Sequence, residues 1–246
     1  MKKKVLIVGG SGKIGNYIVN HLAKKNKFEI IILDKTRPRF KNYNTFIKFD
    51  LLNFNKYEKL KKDILKSYKT VDVLINCAAM VGRNKDKDWN KSFEFQSVRT
   101  WQKCLDVNLT SIFLMIRTLL SLLKNSKNPK IINISSIYGF TAPRFDIYKN
   151  TNIKNQLAYS VSKSGLIQLT KWFSSYLDKK FSINVISFGG LFEEYMNQKF
   201  KKNYSKYTLK KRMLNLEDVT PAIDYLLSSE YITGQNIVVD GGWSVY

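Results

Sequence analysis

A glycine-rich turn directly after the first apolar segment constrains this chain more than any other feature of its sequence. Residues 5–8 are all aliphatic, which predicts a strand that is buried on both faces. Residues 9–15 follow with four glycines, at positions 9, 10, 12 and 15. Residues 14–24 then repeat apolar side chains at helical spacing. A strand, a tight glycine turn and an amphipathic helix in this order predict the start of a β-α-β unit.

The same alternation continues to the end of the chain. Further short apolar runs predict strands at 30–33, 46–49, 71–75, 131–134, 183–186 and 237–239. Longer amphipathic stretches lie between them, most clearly at 105–123 and 159–177. There are 4 prolines, no internal repeat and no low-complexity linker, so nothing divides the chain. We predict one α/β domain over residues 1–246, a Rossmann fold whose doubly wound parallel sheet has about seven strands and helices on both faces.

Composition narrows the class of protein. Of 246 residues, 44% are hydrophobic and 13% aromatic, which is enough to bury a core. The net charge of +23 is spread along the whole chain, which favours a solvated basic surface over a nucleic-acid site. Residues 5–8 are shorter than an export segment, and no run reaches the roughly 18 apolar residues of a membrane span. We expect a soluble cytoplasmic protein with no metal, nucleic-acid or membrane partner.

The glycine turn also predicts a phosphate site. Glycines let the backbone approach a ligand closely, and the start of the following helix presents unpaired N–H groups to a pyrophosphate. Asp34 ends the second predicted strand, 19 residues after Gly15 (34 − 15), where a carboxylate accepts ribose hydroxyls and repels a 2′-phosphate. This spacing favours NAD over NADP, although Lys35 and Arg37 soften the repulsion. Lys13 either touches a phosphate or points to water.

Three further sites carry groups suited to proton transfer. Tyr159 and Lys163 lie one turn apart on one face of a predicted helix. Ser135 and Ser136 end the strand predicted at 131–134, and Asn108 lies in an earlier helix. In a chain so rich in lysine, a tyrosine with a lysine four residues later carries little weight alone. Its occurrence after these residues, in this order, is the stronger signal.

Taken together, these motifs resemble those of the short-chain dehydrogenase/reductase family, in its compact branch of about 250 residues. The matching segments, in chain order, are the glycine turn, Asn76-Cys77-Ala78-Ala79, Asn108, Ile134-Ser135-Ser136, Tyr159-x-x-x-Lys163 and the ending Thr233-Gly234 to Asp240-Gly241-Gly242.

The resemblance implies a division of labour. Tyr159 exchanges a proton with the substrate oxygen while hydride passes to or from the nicotinamide, and Ser136, with Ser135 as the alternative, holds that oxygen. Lys163 favours the tyrosinate and hydrogen-bonds the nicotinamide ribose. A tyrosine pKa is near 10, and an ammonium about 5 Å away lowers the free energy of the tyrosinate by about 3 kcal/mol. Asn108 keeps a water that links the lysine to solvent.

The resemblance also implies a set of cofactor contacts and an assembly. Homo-oligomers, tetramers or dimers, are expected through the helices that bear Asn108 and Tyr159. The implied NAD-binding residues are Gly9, Ser11, Gly12, Lys13, Ile14, Gly15, Asp34, Asp50, Leu51, Asn76, Ala78, Tyr159, Lys163 and Gly189.

Several positions depart from the family pattern. Lys13 replaces a glycine of the turn, and Phe188 replaces a proline before Gly189. The interval from Ser136 to Tyr159 is 23 residues (159 − 136), roughly ten longer than usual, and predicts a loop at the substrate mouth. Residues 191–212 are expected to form a mobile lid, and its cations suggest recognition of an anionic substrate group. These are Lys199, Lys201, Lys202, Lys206, Lys210, Lys211 and Arg212.

The sequence therefore predicts an NAD-dependent oxidoreductase that acts on an alcohol or ketone of a carbohydrate-like substrate, an activated or amino sugar. One alternative is an NADPH-dependent 3-oxoacyl-thioester reductase that acts on acyl carrier protein. An alternative of another class is a non-catalytic dinucleotide sensor or nucleic-acid-binding protein that keeps the fold.

Overall fold

Seven parallel strands form one sheet in the order β3-β2-β1-β4-β5-β6-β7. The computed structural model describes residues 2–82, 88–151 and 153–245. The strands are β1 Lys3–Val8, β2 Phe28–Asp34, β3 Thr45–Lys48, β4 Val73–Asn76, β5 Lys130–Ser136, β6 Ser182–Phe188 and β7 Asn236–Val239. The helices are α1 Lys13–Lys24, α2 Tyr57–Ser67, α3 Val98–Leu105, α4 Ser111–Lys124, α5 Leu157–Tyr176, α6 Gln198–Lys206 and α7 Thr220–Ser228.

Both faces of the sheet are covered, as the continuous apolar strands predict. Alternate residues of β1 show why: Leu6 and Val8 pack into one core, and Val5 and Ile7 pack into the other. The first core lies under α2, α4 and α5, and the second lies under α1 and α7. The predicted fold class and all seven predicted strands are confirmed, with bounds that differ by at most two residues at either end of each strand.

The helix predicted at 105–123 is longer than expected and is interrupted. It begins at Val98, because the Ser97 side chain accepts a hydrogen bond from the backbone N–H of Thr100 and so caps it. A π-helical turn, Asp106–Thr110, separates α3 from α4. By length and composition alone, Val98–Lys124 would pass as a membrane span. Its apolar residues, such as Met115 and Leu119, are instead buried in the first core.

The order of the strands indicates where the ligand crevice lies. β1 lies between β2 and β4, so successive crossovers run in opposite directions on either side of it. In open parallel sheets, the crevice at such a reversal lies beyond the carboxyl ends of the strands. The glycine turn after β1, Asp34 of β2, Asn76 of β4 and Ser136 of β5 all lie at that edge.

Candidate active site

The glycine turn is packed so tightly that side chains are excluded from it. Gly9 has φ +80°, and a Cβ there would lie 2.5 Å from the backbone nitrogen of Ala78. A Cβ on Gly15 would lie 2.2 Å from the Gly9 carbonyl oxygen. Two of the predicted glycines are therefore required by the approach of β1, α1 and the segment after β4. This packing brings the start of α1 to the edge of the sheet.

The N-terminus of α1 has the properties of an anion site. No side chain caps it, and the N–H groups of its first turn have no intrahelical acceptor. Asn76, next to the turn, donates from Nδ2 to Asn133 Oδ1 at 2.8 Å. Its own Oδ1 is buried and accepts no hydrogen bond from the described residues. A buried orphan acceptor beside an uncapped helix start fits a polar ligand such as a dinucleotide at this edge.

Asp34 is held at the end of β2 by backbone donors. Its Oδ2 accepts from the Ser11 N–H at 3.1 Å, and its Oδ1 accepts from the Thr36 N–H at 3.1 Å. The carboxylate is thereby fixed beside the glycine turn, as its spacing predicts. A surface cavity of about 510 Å³ adjoins it, lined by Lys35, Thr36, Arg37, Phe46 and Lys48. The guanidinium of Arg37 lies 5.3 Å above the Phe46 ring.

The other predicted cofactor residues lie at the same edge with different local roles. Asp50 and Leu51 follow β3; the Asp50 side chain accepts from the Leu52 N–H at 3.1 Å, and Leu51 is buried. Gly189 follows β6 and donates its N–H to the Val239 carbonyl at 2.9 Å. Phe188, in place of the usual proline, is buried in the second core. Ser11 donates from its hydroxyl to the Thr36 carbonyl at 2.6 Å.

Tyr159, Lys163 and Ser136 come together at the carboxyl end of β5. The Lys163 Nζ lies 5.8 Å from the centre of the Tyr159 ring and donates to the Ile134 carbonyl at 2.8 Å. The Ser136 side chain lies close enough to the Tyr159 hydroxyl to lower its pKa. Ser135 instead donates to the Lys163 carbonyl at 3.0 Å, within the protein interior. Of the two serines, only Ser136 faces the phenol.

Burial dominates the electrostatics of this pair in the protein alone. It raises the pKa of Tyr159 to about 12, and the hydrogen bond from Ser136 opposes this increase. Burial also lowers the pKa of Lys163 to about 8. The low tyrosine pKa that the sequence argument ascribes to Lys163 is therefore absent from the cofactor-free chain. Burial disfavours the charged form of both groups.

Asn108 is part of the framework that supports these residues. It is fully buried on the π turn, where its Oδ1 accepts from the Met80 N–H at 2.7 Å. Its Nδ2 donates to the Met80 carbonyl at 3.2 Å and to the Ser162 hydroxyl at 3.0 Å. The amide thus ties the segment after β4 to α5. These bonds occupy both polar atoms of the side chain.

Lys13 has protein partners in the structure. Its Nζ forms an ion pair with the Glu193 carboxylate at 2.5 Å and donates to the Phe192 carbonyl at 3.2 Å. Both partners belong to segment 191–212, so the substituted position of the glycine turn contacts the predicted lid directly. The lid carries α6, and its Tyr204 hydroxyl accepts from the Gly190 N–H at 2.6 Å.

An aromatic wall beside Ser136 was missed from the sequence. Tyr138 and Tyr148 share a hydrogen bond between their hydroxyls at 2.7 Å. Tyr204 stacks on Trp243 with ring centres 4.3 Å apart. These rings come from the inserted 137–158 segment, from α6 and from the chain end, and form a small core with Phe200 and Met213. The high density of aromatic residues in segments 137–158 and 191–212 was the signal available in the sequence. Only the fold brings these rings together.

Comparison with known proteins agrees with this geometry. The family model for short chain dehydrogenases matches residues 3–204. Post-translational flagellin modification protein A of Campylobacter coli is 30% identical, over 99% of this chain and 98% of that protein. The 3-oxoacyl-acyl-carrier-protein reductase FabG of a Buchnera aphidicola strain is 28% identical over 98% and 97%. The structure of a short chain dehydrogenase from Leptospira borgpetersenii with bound NAD+ has TM-score 0.88 and 30% identity, over 99% of this chain and 93% of that one.

The fold and the site define a nucleotide-binding oxidoreductase that acts on CH–OH groups of small molecules. The chain belongs to the short-chain dehydrogenase family, as its motifs predict.

Proposed function

We propose that this protein transfers hydride between NAD and a hydroxyl-bearing or keto carbon of a carbohydrate-like substrate, an activated or amino sugar. The observation that carries the proposal is the cluster of Tyr159, Lys163 and Ser136 at the same sheet edge as the glycine turn. A phenol, an ammonium and a hydroxyl in contact there are the groups that proton exchange with a substrate oxygen requires.

Each residue has a role that follows from its position. Ser136 donates to the substrate oxygen and stabilises the charge that develops on it. Tyr159 gives its proton to that oxygen in reduction and takes it back in oxidation. Lys163 stabilises the tyrosinate from one helical turn away. The glycine turn and the start of α1 would hold the pyrophosphate of the cofactor, whose nicotinamide supplies or accepts the hydride.

The cofactor preference is proposed from Asp34. A carboxylate fixed by Ser11 and Thr36 disfavours a 2′-phosphate by charge repulsion. The basic cavity beside it, with Lys35, Arg37 and Lys48, is the feature that favours the NADPH-dependent 3-oxoacyl-thioester reductase instead. Dissociation constants for NADH and NADPH decide between the two. We expect NADH to bind more tightly in the wild type and NADPH to gain relative affinity in Asp34→Ala; NADPH preference in the wild type supports the reductase.

The substrate class is proposed from the aromatic wall and from the relative. Aromatic faces with hydroxyl tips, as in Tyr138 and Tyr148, suit a ring with apolar C–H faces and hydroxyl edges. The Campylobacter relative is named for flagellin modification. A screen of sugars and sugar nucleotides, followed by the absorbance of the reduced cofactor, tests the proposal. Turnover of 3-oxoacyl thioesters without turnover of any sugar would replace it.

Segment 191–212 is proposed to close over the substrate. It crosses from the end of β6 to the glycine turn, where Lys13 binds Glu193. Within the described chain some of its cations are already engaged: Arg212 pairs with Asp218 at 2.5 Å, and Lys201 lies 4.7 Å above the Phe192 ring. These contacts favour a role for the segment as a cover over the substrate rather than as a dense cationic surface.

A cytoplasmic homo-oligomer, a tetramer or a dimer, completes the proposal. Exposed apolar side chains recur at helical spacing along one face of α5, and Phe113 is exposed on α4. The α5 residues are Leu157, Val161, Trp172 and Tyr176. Such a face is large for a solvent-exposed helix and suits a second copy of the chain. Both cysteines, Cys77 and Cys104, are unpaired thiols, as in reducing compartments.

A further inference from the structure

The inserted segment before α5 builds a second cavity beside the reaction centre. Its volume is about 580 Å³, and it lies between residues 91–96 and residues 143–160. Tyr148, Asn155 and Ser160 form part of its wall. Ser160 is the residue after Tyr159, so α5 carries both the phenol and part of the cavity wall. The roughly ten extra residues that distinguish this chain from simple family members therefore enclose a space rather than hang in solvent.

A hydrogen-bonded chain links the cavity to the reaction centre. The Asn155 Nδ2 donates to the Tyr148 hydroxyl at 3.4 Å, and that hydroxyl shares a bond of 2.7 Å with the Tyr138 hydroxyl. The Tyr138 N–H in turn donates to the Ser136 hydroxyl at 3.3 Å. Tyr148 also lies close enough to Tyr159 to contribute to the raised pKa of that phenol. Asn155 and Tyr148 of the cavity wall are therefore connected to Ser136 through Tyr138.

The charge of the lining has a single sign. Three lysines line the cavity, Lys91, Lys149 and Lys154, and no carboxylate is among the described residues that line it. Lys91 is partly neutralised by Asp88, whose carboxylate lies 2.7 Å from its Nζ. Lys149 and Lys154 come from the inserted segment itself. Clustered ammonium groups beside a cavity favour a phosphate-bearing ligand through charge-assisted hydrogen bonds.

The remaining lining offers aromatic surface. The side chains of Phe93 and Phe145 are 68% and 67% exposed, although rings of this size gain by burial. The two rings reach the cavity from opposite segments. Aromatic faces of this kind stack on a planar base, and such stacking contributes about 1–3 kcal/mol per base. The walls therefore combine a surface for a base with cations for phosphates.

We infer that this cavity binds the nucleoside diphosphate portion of the substrate while the sugar lies at Ser136 and Tyr159. The inference rests on the proposed function and makes its substrate class specific: the sugar is nucleotide-activated. Lys149 and Lys154 bind the phosphates, and Phe93 and Phe145 contact the base. The phosphate of an acyl-carrier thioester shares part of this chemistry but lacks the planar base that the two phenylalanines suit.

Calorimetric titration of the NAD+-saturated enzyme tests the inference, because saturation keeps the probes out of the dinucleotide site. The probes are UDP, GDP, CDP, inorganic pyrophosphate and 4′-phosphopantetheine. We expect at least one nucleoside diphosphate to bind more tightly than pyrophosphate and phosphopantetheine. Tighter binding of phosphopantetheine, or no nucleotide binding, overturns the inference. The dissociation constant for NAD+ is measured separately, so failure here is distinguishable from failure of the proposed function.

Matched variants locate the binding. Lys149→Ala/Lys154→Ala is expected to weaken nucleoside diphosphate binding at least ten-fold, and Phe145→Ala about three-fold or more, with unchanged NAD+ affinity and circular dichroism. Lys24→Ala/Lys27→Ala removes the same charge from the opposite end of the sheet, and Phe54→Ala removes an exposed ring elsewhere. Both controls should bind as the wild type does. Equal weakening in the control lysine pair, or wild-type binding in the cavity variants, contradicts the assignment.

Discussion

At the scale of single residues, the site buries two ionisable side chains, Lys163 and Tyr159, next to each other. Lys163 is 2% exposed and its Nζ hydrogen-bonds a carbonyl, not a carboxylate. Tyr159 beside it carries a pKa raised by burial to about 12. With a pKa of about 12, the phenol is not poised for proton exchange near neutral pH. The positive charge of an oxidised nicotinamide, added to that of Lys163, is the available source of a lower tyrosine pKa.

Removal of the phenol hydroxyl separates chemistry from binding. Tyr159→Phe keeps the ring and its packing but leaves no proton to exchange. We expect kcat to fall by about 10²–10⁴ because positioned proton transfer is lost. The dissociation constant for NADH, followed by fluorescence, should stay within roughly three-fold, since the proposed contacts of the glycine turn and of Asp34 with the cofactor remain. Full activity in this variant would show that a different group acts as the acid.

Substitution of Lys163 is expected to stabilise the fold while it abolishes activity. The pKa of Lys163 is lowered to about 8, so below pH 8 the folded protein bears the whole penalty of a buried cation, about 3 kcal/mol. Lys163→Met removes that penalty but leaves the Ile134 carbonyl without its donor, which costs about 1 kcal/mol. At pH 7 we expect a net gain of about 2 kcal/mol in the free energy of unfolding, measured with urea.

The pH dependence of this gain in the free energy of unfolding tests the prediction for Lys163→Met. Between the folded pKa near 8 and the unfolded value near 10.5, the unfolded chain binds a proton that the folded chain does not. Wild-type stability therefore rises relative to Lys163→Met over this window, and the gap narrows from pH 7 to pH 9.5. Lys24→Met, on the exposed side of α1, should show no such change. A destabilised, pH-independent Lys163→Met would refute the assignment.

At the scale of elements, the glycine turn and the lid are joined by one ion pair. Lys13 and Glu193 are 180 residues apart in sequence (193 − 13), and their side chains are 35% and 19% exposed. This contact could not be read from the sequence, because an ion pair of this kind has no local signal. By contrast, Tyr159 and Lys163 share one helix face, so their proximity follows from spacing alone.

Loss of the Lys13–Glu193 pair should loosen segment 191–212. A partly exposed pair contributes about 0.5–1 kcal/mol, so Glu193→Gln should raise the open population roughly two- to five-fold. Trypsin cleavage within the lysine-rich 199–212 stretch, timed by mass spectrometry, should accelerate by the same factor. Glu194→Gln is the matched control, since Glu194 makes no ion pair among the described residues. Equal cleavage rates in all three proteins would show that the pair does not hold the lid.

At the scale of the whole molecule, the fold was predictable because its strands are buried on both faces. The aliphatic runs of β1 and β2 have no polar alternation that could indicate a solvated sheet face. The start of the long helix at Val98 was missed, because half of α3 is polar and its apolar face packs on α5 rather than on the sheet. The Tyr138–Tyr148 pair was missed for a related reason: its geometry exists only after the insertion has folded back on the site.

The exposed faces of α4 and α5 predict self-association. Val161→Glu/Trp172→Glu places two carboxylates on the apolar face of α5. Both substituted residues are exposed. We expect the wild type to sediment as a dimer or tetramer and this variant to sediment as a monomer. Phe54→Glu, an equally polar change elsewhere on the surface, should leave the assembly intact. A monomeric wild type at micromolar concentration would contradict the proposed interface.

A crystal structure of the protein with bound NAD+ tests most directly whether Tyr159 and Lys163 act at the nicotinamide. We expect the pyrophosphate to lie at the start of α1 and the nicotinamide C4 to lie about 5 Å from the Tyr159 hydroxyl. A substrate carbon and its oxygen can bridge this distance. Lys163 should then contact the nicotinamide ribose. A nicotinamide bound away from Tyr159, with Lys163 still directed only at the Ile134 carbonyl, would contradict this expectation.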